Sequence, residues 1–263
     1  MSYLEATLYG AVQGITEFLP VSSSAHLALL PRLMGWRDPG LAFDAALHLG
    51  TLAAVTAYFL RDWVKLLGAA ARRPRGNEAR LLLLLAVSTV PAAAAGLAFE
   101  RQVEGAFRDP ERIAAALILF GALLGLADRF GRRTTAFEEI GAAAAVAIGL
   151  SQALALVPGV SRSGVTVTAG LALGLSYDAA LRFSFLMSTP VILGAGLLKL
   201  RHLGGADMTG GFLWALAVSA LTGLGAVHLL MSQLRRTGMR PYVIYRLAVG
   251  GAILAACAAG WSP

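Results

Sequence analysis

Long apolar segments alternate with short polar ones along most of this 263-residue chain. A helix needs roughly 17 to 25 mainly apolar residues to cross the hydrocarbon core of a bilayer. Segments of that length predict six membrane-spanning helices, at about 43–60, 81–99, 113–130, 179–198, 212–233 and 242–260. The pattern therefore predicts an all-α polytopic membrane protein that forms a single membrane domain over residues 1–263.

Two further apolar stretches, at 6–34 and 139–175, are interrupted near their centres. The interruptions are Pro20-Val-Ser-Ser-Ser and Pro158-Gly-Val-Ser-Arg-Ser. Each flank is then only about 10 to 15 residues long, which is typical of a re-entrant segment rather than of a spanning helix. We expect two helical hairpins, each of which enters the membrane and returns to the same side.

The basic residues between the apolar segments indicate the orientation, because loops rich in lysine and arginine stay in the cytoplasm. Three loops are basic, at 61–80, 129–133 and 235–240, whereas the loop at 100–112 is mixed in sign. The three basic loops share one side only if the two hairpins enter from opposite faces. Both termini are then predicted to lie outside the cytoplasm.

An internal repeat supports this arrangement, because two pairs of motifs occur in the same order in both halves of the chain. They are Gly10-Ala-Val-Gln13 with Gly149-Leu-Ser-Gln152, and Phe43-Asp-Ala-Ala-Leu47 with Tyr177-Asp-Ala-Ala-Leu181. Each repeat, about 1–132 and 133–263, would hold one hairpin and three spans with opposite topology. Irregular backbone at membrane depth survives only where it is buried in protein or lines a wet cavity. We therefore expect the polar residues of both breaks to converge.

Composition agrees with a membrane protein, since 57% of the residues are hydrophobic and only 14% are charged. Soluble domains average about 25% charged residues. The net charge of +7 comes from basic residues scattered between apolar segments, so we expect no nucleic-acid partner. The single cysteine, Cys257, excludes an internal disulfide. The first residues lack the basic region of a signal peptide, so we expect them to remain in the mature chain.

The first break carries a carboxylate, hydroxyls and an imidazole. Gln13 and Glu17 share one helix face because they are four residues apart. Ser23 and His26 are three residues apart at the start of the returning arm, so one pocket could hold all four side chains. An ionisable group at membrane depth indicates function by default, although a purely structural ion pair between Glu17 and Arg162 is the alternative.

The second break is cationic and rich in hydroxyls. Its polar residues are Ser161, Arg162, Ser163 and Thr166. A helix that begins here presents unpaired N–H groups to an anion, and the planar charge of Arg162 suits phosphate oxygens. Opposite a carboxylate, which hard cations prefer, these residues predict a site for a phosphorylated substrate with a divalent ion.

Three motifs resemble those of a known family. They are Gln13-x-x-x-Glu17, Pro20-Val-Ser-Ser-Ser-Ala-His26 and Pro158-Gly-Val-Ser-Arg-Ser-Gly-Val-Thr166. They are similar to the (E/Q)xxxE and PGxSRSxxT signatures of the bacterial undecaprenyl-diphosphate phosphatases of the bacitracin-resistance type, and the similarity covers essentially the whole chain. The resemblance implies a bacterial inner-membrane hydrolase that recycles the lipid carrier for peptidoglycan synthesis. It also implies a divalent metal ion, Mg²⁺ or Ca²⁺.

Applied to this chain, the resemblance makes Glu17 the metal ligand. Many relatives carry glutamate where this chain has Gln13, which would act as a hydrogen-bonding or carbonyl ligand. Ser23 is the candidate nucleophile, with His26 as general base and later acid. Attack by a metal-activated water, with His26 as proton donor, is the alternative. Arg162 would neutralise phosphate charge, with the Ser161, Ser163 and Thr166 hydroxyls binding the substrate.

The prenyl tail of the substrate would lie among bilayer lipids between the spans, with the site opening outward; a homodimer is compatible with the sequence. The rival interpretation is a lipid-carrier flippase or secondary transporter, because transporters also use inverted repeats with broken helices. Asp44 and Asp178 are interpreted as helix-start residues that interact with the helix dipole. His48, interpreted as bonding only to Asp44, is given no catalytic role, and neither are His202 and His228.

Overall fold

The computed structural model describes residues 1–99, 109–200 and 209–260. Eleven α-helices lie in these ranges: α1 Tyr3–Phe18, α2 Ser23–Met34, α3 Leu41–Tyr58, α4 Leu60–Arg72, α5 Asn77–Ala98, α6 Pro110–Phe130, α7 Ala142–Ala153, α8 Arg162–Ala172, α9 Tyr177–Leu200, α10 Gly210–Thr237 and α11 Arg240–Ala258. Two short 3-10 helices, Phe137–Glu139 and Leu154–Leu156, also lie in these ranges. Most of the predicted outer loop at 100–112, together with His202, lies outside the described residues.

The predicted spans correspond to helices of sufficient length and hydropathy. Within the described part of the chain, α5, α6, α9, α10 and α11 are each long and apolar enough to cross a membrane. The pair α3 and α4 adds a sixth candidate if it is taken as one span bent by 67°. The prediction of an all-α protein with apolar membrane spans is therefore confirmed at the level of five to six spans.

The interpretation of 61–80 as a plain basic loop was wrong for its first part, because Leu60–Arg72 forms the helix α4. Leu66 of α4 packs into the protein core, whereas Leu60 and Val64 are exposed. Apolar residues thus recur at helical spacing between charged ones, which is the pattern of an amphipathic helix that lies along a membrane surface. Counting basic residues detected the charge of this segment but did not test whether its apolar residues recur at helical spacing.

Both predicted interruptions are present as breaks between helices. The first separates α1 from α2, and the second separates α7 from α8. Ser22 and Ser161 precede the helices that follow the breaks and have φ angles of 75° and 71°. Positive φ is uncommon for residues other than glycine. The two breaks therefore share an unusual backbone conformation at matching positions of the sequence.

The first helix of each broken pair packs against a long helix from the other half of the chain. Helix α1 packs on α10, and α7 packs on α5. A Cβ atom added to Gly10 would lie 2.4 Å from the carbonyl oxygen of Ala215, and one added to Gly149 would lie 2.4 Å from that of Ser88. Small residues allow such close approach of membrane helices. The two contacts are alike, because in each one a helix beside a break packs closely on a long helix from the other half of the chain.

Candidate functional site

The two breaks meet inside the protein, as the sequence predicts. The backbone N–H of Gly159 donates to Ser22 Oγ at 3.1 Å. From the second break, Ser163 Oγ donates to the carbonyl oxygens of Glu17 and Leu19, both at 3.3 Å. These contacts bring the start of α8 against the end of α1. The predicted convergence of the two breaks is therefore confirmed.

Glu17 is the centre of the polar cluster, although its side chain is almost fully buried. Its Oε1 lies 2.7 Å from Arg162 Nη2. Its Oε2 accepts a hydrogen bond from Ser23 Oγ at 2.6 Å and one from Gln13 Nε2 at 3.3 Å. The same oxygen lies 3.2 Å from His48 Nε2. Four side chains from four helices thus converge on one carboxylate.

Local helical geometry explains how these side chains meet. Gln13 and Glu17 lie one turn apart near the end of α1, and Ser23 is the first residue of α2 just beyond the break. Arg162 is the first residue of α8, at the corresponding place after the second break. Ser23 and Arg162 therefore reach Glu17 from the starts of two equivalent helices.

His48 is a site residue that the sequence interpretation missed. Its Nδ1 contacts the carbonyl oxygen of Asp44 at 2.9 Å, as expected, but its Nε2 faces Glu17. Carbonyl and ionised carboxylate oxygens only accept hydrogen bonds, so this environment stabilises the doubly protonated form of the ring. The internal repeat could have drawn attention to this residue. His48 directly follows Phe43-Asp-Ala-Ala-Leu47, at the position where the charged residue Arg182 follows the matching motif.

His26 lies outside this cluster. Its Nδ1 contacts the carbonyl oxygen of Ser22 at 2.7 Å, and its Nε2 contacts Tyr245 OH at 2.7 Å. The imidazole also stacks on the Tyr245 ring. Of the four residues predicted to share one pocket, Gln13, Glu17 and Ser23 are therefore together and His26 is not. A catalytic role of His26 stays a prediction.

The hydroxyls of the second break mainly bond within the protein. Ser161 Oγ accepts from the N–H of Gly164 at 3.1 Å and caps α8. Thr166 Oγ1 lies 2.6 Å from Ser184 Oγ, and Ser163 contacts the end of α1 as described above. Ser161 also lines the cavity beside Glu17. Substrate binding by Ser161, Ser163 and Thr166 stays a prediction.

Arg246 holds the two breaks together, and the sequence interpretation also missed it. The residue is fully buried on α11. Its guanidinium donates to the carbonyl oxygens of Pro20 at 3.1 Å, Gly159 at 2.8 Å and Val160 at 3.0 Å. A fourth hydrogen bond reaches Leu117 O at 3.2 Å. The sequence could have indicated this residue, because it is a lone arginine inside the predicted span 242–260 and such a charge is costly at membrane depth unless it has hydrogen-bond partners.

A cavity of about 230 Å³ lies beside the cluster. Its polar lining includes Glu17, Ser23, His48, Gln152, Ser161 and Arg162. Within the residues that the structure describes, Gln13 Oε1, Arg162 Nη1 and both polar atoms of the Gln152 amide are buried without a hydrogen-bond partner. Buried polar groups in native proteins nearly always have a partner. Arg162 and Gln152 both line this cavity, which indicates a place for a polar ligand.

The described residues contain no cluster of three or more histidine, cysteine, aspartate or glutamate side chains that could hold a metal ion. Glu17 and Gln13 both offer side-chain oxygens, and the Gln13 amide lies beside the Glu17 carboxylate, with its Nε2 3.3 Å from Glu17 Oε2. Gln13 Oε1 is available for a ligand, because it has no hydrogen-bond partner among the described residues. Mg²⁺ is commonly bound by one or two carboxylates together with substrate phosphates rather than by a protein cage. These two side chains fit that mode of binding.

Comparison with known proteins gives consistent results. The family model described as "Bacitracin resistance protein BacA" matches residues 6–252. A relative from Pelotomaculum thermopropionicum, named undecaprenyl-diphosphatase, is 47% identical over 259 residues and covers 98% of each chain. Two others with the same name are from Moorella thermoacetica, 46% identical over 97% of this chain and 98% of its own, and Pelobacter propionicus, 47% identical over 100% of each.

Proposed function

The chain belongs to the bacitracin resistance protein BacA family, and from this premise we propose that it is a multi-pass inner-membrane phosphatase. Its reaction is hydrolysis of undecaprenyl diphosphate to undecaprenyl phosphate and inorganic phosphate. This reaction regenerates the lipid carrier for peptidoglycan synthesis and confers bacitracin resistance. The observation that carries the proposal is the meeting of Glu17, Ser23 and Arg162 at one cavity, because three separate motifs supply them.

Positive charge at this cavity suits a diphosphate. Arg162 bonds Glu17 through Nη2, while its Nη1 has no partner within the described residues. The guanidinium can therefore bind a phosphate oxygen without releasing Glu17. When protonated, His48 adds a second positive charge, and the first turn of α8 adds its N-terminal dipole. Charge neutralisation and positioning are the main requirements of phosphoryl transfer.

We propose that Ser23 attacks the terminal phosphorus. Ser23 Oγ donates to Glu17, so Glu17 is the group placed to take its proton as the new oxygen–phosphorus bond forms. Undecaprenyl phosphate leaves with the electron pair of the broken anhydride bond. Glu17 then releases the proton it took to the departing phosphate or to solvent. A water molecule attacks the phosphoserine phosphorus, Glu17 takes a proton from this water and returns it to Ser23 Oγ as the serine oxygen–phosphorus bond breaks, and inorganic phosphate leaves. The base role predicted for His26 would require its ring to leave Ser22 and Tyr245.

The divalent ion, Mg²⁺ or Ca²⁺, is part of this proposal. Glu17 and the carbonyl oxygen of Gln13 would hold it together with the diphosphate. When bound, the ion supplies further charge neutralisation for the phosphate oxygens.

We also propose that the two broken helix pairs are re-entrant hairpins in an inverted repeat, with halves of about 1–132 and 133–263. The matching φ angles of Ser22 and Ser161 support the repeat, as do the equivalent contacts of Gly10 and Gly149. The basic-loop pattern places both termini outside the cytoplasm, and we propose that the site opens outward. A homodimer stays a prediction.

The decisive assay is phosphate release from undecaprenyl diphosphate by the purified protein in detergent. No gradient exists in detergent, so a flippase or transporter without hydrolytic activity releases no phosphate. The phosphatase releases one inorganic phosphate per substrate molecule, and removal of divalent ions with a chelator lowers the rate. Failure of the wild-type protein to release phosphate would contradict the proposed function.

A further inference from the structure

Gln152 is a buried amide without a hydrogen-bond partner in the described part of the chain. It lies near the end of α7 and is only 2% exposed. Neither its Nε2 nor its Oε1 has a hydrogen-bond partner within the described residues. The side chain lines the same cavity as Glu17 and Arg162. A buried carboxamide without partners is unfavourable, and a ligand that enters through the cavity would supply the missing partner.

The repeat explains why this amide is free. Gln13 and Gln152 occupy matching positions, and the Nε2 of Gln13 donates to Glu17, four residues further along. Four residues after Gln152 the chain has Leu156, which also lines the cavity. The second repeat thus keeps the amide and replaces its carboxylate partner with an apolar side chain. An anion in the cavity would take the place that the carboxylate has in the first repeat.

We propose that Gln152 is a substrate-binding residue whose Nε2 donates a hydrogen bond to a phosphate oxygen of the diphosphate. This inference rests on the proposed function. Its amide lines the same cavity as the Arg162 guanidinium and supplies donors without adding charge. A neutral donor suits this position because Arg162 already brings positive charge to the cavity. Oε1 remains available to accept from a protonated phosphate oxygen or from water.

The test compares Gln152→Met and Gln152→Glu with the wild-type protein in detergent and Mg²⁺. Methionine has a similar volume without a donor, and glutamate adds a negative charge that repels the ligand. The probe is methylenediphosphonate, a non-hydrolysable diphosphate, titrated calorimetrically. We expect Gln152→Met to weaken its binding roughly ten- to hundredfold and Gln152→Glu to weaken it further. KM for undecaprenyl diphosphate should rise in the same order.

A matched control is available in Gln233, an exposed amide near the end of α10. Gln233→Met and Gln233→Glu should leave diphosphonate affinity unchanged. Thermal unfolding separates binding from folding, because Gln152→Met removes an unsatisfied buried amide and should unfold at or above the wild-type temperature. Weaker binding in a variant of equal or greater stability is a result that a merely structural role cannot give.

Three results would overturn the inference. One is unchanged diphosphonate affinity in Gln152→Met, and another is absence of diphosphonate binding by the wild-type protein. The third is a Gln152→Glu variant that stays active and needs less Mg²⁺, since this would make Oε1 a metal ligand. A wild-type protein that binds diphosphonate but releases no phosphate from the lipid would contradict the proposed function and leave the assignment of Gln152 intact.

Discussion

The two breaks have the same backbone and different chemistry. Each turns through a serine with positive φ, and each is followed by a helix whose first residue points toward Glu17. In the first break that residue is Ser23, and in the second it is Arg162. One repeat supplies a hydroxyl and a carboxylate, and the other supplies a cation and a free amide. The comparison teaches that two breaks with the same backbone conformation can carry different side chains, and in the proposed reaction this difference separates the nucleophile from the phosphate-binding groups.

Arg246→Met should have the largest effect, because it disturbs both breaks at once: this one side chain donates hydrogen bonds to carbonyl groups of each break. Loss of its guanidinium leaves buried carbonyl groups without donors, at roughly 1–3 kcal/mol for each such group. We expect unfolding in detergent to lose about 3 kcal/mol or more and activity to be abolished. Arg240→Met, at the exposed start of the same helix, is the matched control. Equal stability of the two variants would show that Arg246 does not hold the breaks.

Ser23→Ala tests the role of the first break, which in the proposed reaction supplies the nucleophile. If Ser23 is the nucleophile, turnover should fall by at least about a thousandfold, because no other group takes its place in the covalent step. The protein should still fold and bind diphosphonate, since Arg162 and Gln152 remain. If water attacks instead, the loss is only the hydrogen bond of a hydroxyl to a charged group, roughly ten- to a hundredfold. Steady-state phosphate release distinguishes the two ranges.

Arg162→Lys tests the role of the second break, which in the proposed reaction binds the phosphate. Lysine keeps the charge but loses the planar fork that bonds Glu17 and phosphate at the same time. We expect roughly a hundredfold loss of kcat/KM, while the variant still inserts and purifies. Phosphate release at several substrate concentrations gives this value. Near-normal turnover would assign Arg162 to a structural pair with Glu17.

His48→Gln should have the smallest effect of these substitutions. A glutamine amide still donates to Glu17, so only the positive charge is lost. We expect about a tenfold decrease in kcat/KM, which corresponds to about 1.4 kcal/mol. His228→Gln is a control, because His228 lies beside Tyr58 and not in the cluster. If both variants have wild-type kinetics, the charge of His48 plays no part in the reaction.

The sequence predicted the parts of the fold that depend on local pattern. Span length and hydropathy located the long helices, and proline with a serine cluster located both breaks. The helix α4 was missed because Leu66 and its apolar neighbours are interleaved with basic residues that were counted only as charge. Testing that segment for a 3.6-residue period would have found it.

The candidate site was predictable only where its residues lie in contiguous motifs. Gln13, Glu17, Ser23 and Arg162 were found from such motifs, and they do converge. His48 and Arg246 reach the site from α3 and α11. The repeat and the lone charge in a span marked these two residues as unusual, but which groups they contact depends on tertiary packing. Spacing also failed for His26, because sharing a helix with Ser23 did not determine which way its ring turns.

Rapid quenching tests the central claim, that the first break supplies a covalent nucleophile to a phosphate held by the second. The purified protein is mixed with undecaprenyl diphosphate labelled on the terminal phosphate, quenched within the first turnover and digested for peptide mapping. The account predicts label on the peptide that contains Ser23, and none in the Ser23→Ala variant. An unlabelled wild-type protein that has already released phosphate, together with a Ser23→Ala loss of a hundredfold or less, would contradict it.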